Sequence, residues 1–282
     1  MSDLHAIVVA NNCSVASSHL YSGCPYPAPS IQDFYFTPLF SIGRFHFDKS
    51  MLLVLVSSLI VITFFWFAFR KPKLVPRGVQ NIGELGLLFV RDQILRPQLG
   101  KQGDKWLPFL MSLFFFIWVN NIFGIIPILY FPATSKYAYP LVLTVMVWLI
   151  YMFLGMKHQG AFGYFKNMSA PAGAPWWILP LLVPIELFSN ILVRPFTLSV
   201  RLFANMLAGH VLLLVFTLGT WYLLTVNVSL GFRGIVPPVY SLASFLLVII
   251  LTALEVLIQV LQAFIFTILT ATYIAGAYET AH

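Results

Sequence analysis

Arg201 stands in FTLSVRLFANMLAGHVLLLVF, a stretch otherwise apolar enough for a membrane interior. An arginine at that depth costs at least ~2.5–3.5 kcal/mol and keeps its charge. It is therefore either a snorkelling or salt-bridged structural cation or a functional site. Asn205, four residues on, shares the arginine's helix face and can orient it by hydrogen bonding. His210 follows nine residues after Arg201, about half a turn away and ~13.5 Å along the axis, so the two address opposite faces. On the last apolar segment Glu255, Gln259 and Gln262 are spaced by four and three. They form one polar stripe that Tyr273 extends at nearly the same angle.

A carboxyl and an imidazole can both gain and lose protons once burial and mutual attraction tune them. Antiparallel packing of two long helices would bring Glu255 and His210 to comparable depth, which is the arrangement of a proton relay. Arg201 cannot carry protons in such a relay; its role would be a fixed positive barrier. Gln259 reads more readily as an amide that glues helices together than as part of a proton path. Glu186 and Arg194 form either an interfacial ion pair near a helix end or part of the polar path.

The elements that position these residues are set by composition. The chain is 60% hydrophobic, 16% aromatic and only 9% charged over 282 residues, which excludes an ordinary soluble domain. An all-α polytopic membrane protein is expected, with about five membrane-embedded helices and an interfacial amphipathic helix. Residues 51–69, 106–131 and 139–156 have the length and apolarity of spans. Residues 77–99 mix Glu84, Arg91 and Asp92 with regularly spaced leucines, as an interfacial helix does. GYFKNMSAPAGAPWW, residues 163–177, reads as a loop. Residues 180–225 exceed one ordinary span, with Pro184 and Pro195 as candidate bends. Residues 239–275 contain neither proline nor glycine, and such a helix would be ~55 Å long, nearly twice the hydrocarbon thickness. The last two helices are therefore expected to be long, steeply tilted and antiparallel.

Basic residues concentrate between Arg70 and Lys105, a placement that fits membrane orientation better than nucleic-acid binding. The positive-inside rule puts this segment in the cytoplasm, the N terminus outside and the C terminus in the cytoplasm. Residues 1–50 become an extracytoplasmic segment and 51–282 a single membrane domain. The start of the chain lacks the pattern of a cleavable signal peptide or organelle-targeting peptide, which favours a bacterial plasma membrane. Cys13 and Cys24 both fall in the outside segment, where a disulfide or two free thiols are equally compatible with their spacing. No metal or cofactor site is expected.

RPFTLSVRLFANMLAGH followed by LIQVLQAFIFTILTATY resembles subunit a of the rotary F-type ATP synthase, and the likeness runs from the first span to the C terminus. The resemblance implies two offset aqueous half-channels beside a ring of c subunits whose carboxylates carry protons, with peripheral-stalk b subunits as further partners. It implies that Arg201 faces the ring, that Asn205 and Gln262 accompany it, and that His210 and Glu255 occupy positions where the family often has the acid and the histidine in reverse order. Glu186 lies one residue farther from Arg201 than the acid of many relatives. The second span has Asn120, Asn121 and Gly124 where some carry an aspartate. No GxxxxGK[ST] loop is present, so ATP chemistry is expected in partner subunits. The competing reading is an independent secondary proton or cation transporter, which would usually show internal repeats and broken helices at a midplane site. A purely structural membrane subunit would leave Arg201 and Glu255 without a reason.

Overall fold

The computed structural model describes residues 40–42, 45–73, 75–126, 136–169, 177–224 and 236–278. The paired-cysteine alternative lies outside these residues. Five helices among them are long and apolar enough to cross a membrane, as expected of an all-α polytopic membrane protein. Apolar side chains such as Leu55, Leu59, Ile62 and Phe67 lie exposed along the first span, which suits a lipid solvent rather than water.

The contact pattern divides the chain into two compact units, residues 49–206 with 258–282 and residues 1–48 with 207–257. The first span is α1 (Lys49–Phe69). The interfacial helix follows as α2 (Val79–Phe89), a π turn over Val90–Leu95 and α3 (Arg96–Leu99). A 3₁₀ segment (Gly100–Trp106) leads into α4 (Leu107–Ile122), and α5 (Ala138–Gln159) and α6 (Ala161–Ser169) come next. The fourth span winds through α7 (Leu179–Phe188), a second π turn (Ser189–Val193) and α8 (Arg194–Leu224). The last helix is α9 (Val236–Tyr278), 43 residues long. At ~1.5 Å per residue it is about twice as long as the hydrocarbon layer is thick, so it must lie steeply tilted.

In the larger unit the core is formed by Ile94, Leu110, Ile117, Val147, Leu202 and Phe266, all nearly or fully buried. Small residues on α9, among them Ala263, Ala271 and Ala277, are buried in the same core, where they allow close helix packing. Gln80 fixes the turn between α1 and α2. Its carboxamide oxygen accepts from the Lys73 N–H at 3.1 Å and its amide donates to the Lys73 carbonyl at 2.9 Å. Asn120 donates to Ser57 Oγ at 2.8 Å and so ties α4 to α1.

In the smaller unit, residues 207–224 of α8 and 236–257 of α9 pack antiparallel. Thr220 Oγ1 lies 2.9 Å from Ser244 Oγ and Glu255 lies against Gly209. A short antiparallel pair, Phe40–Ile42 with Phe45–Phe47, was not expected and does not alter the helical class.

Two local expectations are corrected. The second span's helix ends at Ile122, well before 131, and turns through Gly124. Residues 163–169 are helical rather than loop, because the Tyr164 ring packs against Gly155 and anchors α6 on α5. Tertiary packing overrides the weak helix propensity of this stretch.

Candidate functional site

Both π turns are traceable to proline. In an α-helix the Pro195 ring would collide with the carbonyl of Ile191, and that of Pro97 with the carbonyl of Gln93. In each case the chain widens instead. The N–H of Arg194, just before Pro195, donates to Ser189 O, and the N–H of Arg96, just before Pro97, donates to Arg91 O. Both are five-residue steps, the winding of a π-helix. The candidate bend at Pro195 is thus a π turn. It lies between Glu186 and Arg201 and takes up more residues per turn than an α-helix.

The π turn also leaves a carbonyl free. Asn190 O would take the N–H of Arg194 in α winding, but that donor goes to Ser189. In π winding it would take the N–H of residue 195, which is proline and has none. The Tyr151 hydroxyl of α5 supplies the missing donor at 3.2 Å.

Around this point the larger unit holds a polar cleft of about 690 Å³, lined among others by Pro97, Gln98, Glu186, Asn190, Arg194 and Tyr273. Asn190 Nδ2 donates to the Glu186 carbonyl at 2.8 Å and to its carboxylate at 3.3 Å. The Arg194 guanidinium lies 5.5 Å from the centre of the Tyr273 ring, within cation–π range. Among the described residues Glu186 and Arg194 form no ion pair; each turns to another neighbour. Burial pushes the Tyr164 phenol above its ordinary value, with the charge of Arg194 opposing.

Arg201 is exposed on α8, and among the described residues no carboxylate pairs with it; the ion pairs are Arg91–Asp104 and Arg96–Asp92. Asn205 donates to Gln262 Oε1 at 3.4 Å, and among the described residues its amide oxygen takes no hydrogen bond from Arg201. Gln262 is 4% exposed and Gln259 1%. Neither amide atom of Gln259, nor Gln262 Nε2, has a hydrogen-bond partner among the described residues. Buried unpaired amides of this kind call for water or a partner molecule. In the smaller unit His210 and Glu255 are each 6% exposed, and the Glu255 carboxyl rests against Gly209, next to His210. Each unit therefore groups part of the expected residues: Glu186 with Tyr273, and Asn205 with Gln262, in the larger; His210 with Glu255 in the smaller.

The profile of the ATP synthase A chain family matches residues 51–275. The chain belongs to that family. It is 45% identical over 267 residues to the ATP synthase subunit a of Streptomyces lividans, covering 94% of this chain and 92% of that one. The subunit a of Frankia alni is 45% identical over 257 residues, 89% and 86% of the two chains, and that of Rhodococcus erythropolis 42% over 252 residues, 88% and 89%. As an ATP synthase A chain, this protein is a multi-pass membrane component of a larger complex. Sequence reasoning missed Asn190, Tyr151 and Tyr164, which help to form the cleft. The signal for their neighbourhood was the doubled Arg-Pro, at 96–97 and 194–195.

Proposed function

We propose that this ATP synthase A chain is the stator half of a proton channel in a rotary ATP synthase. Protons enter from outside past Glu255 and His210, load a carboxylate on a ring of c subunits, ride nearly once around, and leave to the cytoplasm through the cleft at Glu186 and Tyr273. The N-terminal segment 1–50 is outside, the membrane domain 51–282 ends in the cytoplasm, and the complex, with its b subunits, sits in a bacterial plasma membrane.

The observation that carries this reading is the guanidinium of Arg201, exposed and without a carboxylate partner among the described residues. A charge so placed within the apolar layer demands a counter-charge from another molecule. Thr197 and Ala204, about one turn to either side, are small and exposed, which lets a partner helix approach closely. A ring carboxyl reaching Arg201 is driven to its ionised form and releases its proton. The fixed cation repels any proton that would pass directly from one path to the other. Asn205 and Gln262, bonded to each other, brace the helix pair beside it. Each charge falling through 100 mV supplies ~2.3 kcal/mol, so several must pass for each ATP.

The test is proton uptake by membrane vesicles carrying Arg201→Ala, driven by ATP in one assay and by an imposed potential in the other, after showing that the ring still co-purifies. Loss of ATP-driven uptake together with a passive leak is expected. Normal ATP-driven uptake would refute the barrier.

A further inference from the structure

We infer that Asn190 is a positioning residue that holds the Glu186 carboxylate in the cleft, an inference that rests on the proposed passage of protons through that cleft. Asn190 is 4% exposed, too buried for its amide to be solvated from the membrane side. Among the described residues its side-chain amide makes two hydrogen bonds, both to Glu186, one to the backbone and one to the carboxylate. The amide therefore fixes the backbone of the acid and the rotation of its side chain together.

Asn190 is itself fixed from outside its own helix. The carbonyl freed by the π turn accepts the Tyr151 hydroxyl, and the Tyr151 ring lies 5.4 Å from that of Tyr273. The path from Pro195 to Glu186 is thus continuous. Proline removes an N–H, the turn widens, a phenol from α5 clamps the freed carbonyl, and the clamped residue grips the acid. Facing Glu186 across the cleft are Arg194 on α8, Tyr151 on α5, Tyr164 on α6 and Tyr273 on α9. Arg194 is the only fixed charge among them, and it is engaged with Tyr273. Asn190 is therefore the group that sets the direction of the carboxylate.

The experiment uses the whole complex in membrane vesicles, with ring co-purification as the control for assembly. ATP-driven proton uptake is measured for Asn190→Leu, Asn190→Gln, Glu186→Gln, Glu186→Asp and the double variant Asn190→Leu with Glu186→Asp. Asn190→Leu, which keeps the branched shape and removes the donor, is expected to slow uptake about fivefold or more. Asn190→Gln, which keeps the amide, should recover at least half of that loss. In Glu186→Asp the shortened carboxylate is withdrawn from Asn190, so adding Asn190→Leu should change the rate less than twofold. An equal slowing in both backgrounds, or no recovery in Asn190→Gln, would overturn the positioning role while leaving Glu186 on the path. Wild-type uptake in Glu186→Gln would instead overturn the reading of the cleft itself.

Discussion

The carboxyl of Glu255 lies so close to Gly209 that a β-carbon at residue 209 would overlap it. Gly209 directly precedes His210, so the absence of a side chain there is what admits the acid to the imidazole's end of the helix. Gly209→Ala is expected to expel the carboxyl from its buried position, leave the ring associated, and lower ATP-driven proton uptake at least tenfold. Uptake at the wild-type rate in Gly209→Ala would show that the position of Glu255 does not matter.

Tyr151→Phe tests the clamp on the π turn. Without the hydroxyl, the Asn190 carbonyl has no donor from its own helix and none from α5. A buried backbone acceptor left in this state costs about 1–3 kcal/mol. The purified complex should unfold at a lower temperature, and uptake should fall in the same sense as in Asn190→Leu. An unchanged melting temperature would mean that the carbonyl finds another donor.

Ser57→Ala removes the acceptor that Asn120 finds on α1. Hydrogen bonds between membrane helices average only ~0.6 kcal/mol, and Asn120 keeps a second bond to the Phe116 carbonyl at 2.9 Å. A small loss of thermal stability with unchanged proton uptake is expected. A large drop in uptake would move Asn120 from helix packing to the proton path.

The five spans were legible because long apolar runs admit few alternatives, and the stripe Glu255–Gln259–Gln262 was legible because all three sit on one uninterrupted helix. Asn190 was not. Its importance depends on how the helix winds two residues before Pro195, and the same Asn-Ile-Leu-Val in α winding would have offered Tyr151 no free carbonyl. Helix α6 was missed for a different reason: Gly163 and its neighbours have weak propensity, and the Tyr164–Gly155 contact that anchors them joins two elements. The early end of the second span at Ile122 likewise depends on turning geometry that apolarity alone does not encode. The short strands at 40–47 lie below the length at which alternation can be recognised.

Pro195→Ala separates the winding of the helix from the chemistry of the cleft. Restoring an N–H at residue 195 gives the Asn190 carbonyl a partner within its own helix, either directly in π winding or by letting Arg194 return to α winding. The phenol of Tyr151 then becomes dispensable. Tyr151→Phe should therefore destabilise the Pro195→Ala protein by clearly less than it destabilises the wild type, a coupling measurable as a double-mutant cycle on the unfolding free energy or, where unfolding is irreversible, on the rate of thermal inactivation. Where Arg194 returns to α winding, proton uptake should fall even though stability is kept, because closing the π turn by one residue rotates Glu186 by about 100° relative to α8 and takes its carboxylate out of the cleft. Additive effects of the two substitutions on stability would show that the proline and the phenol act independently, and that the π turn has another cause.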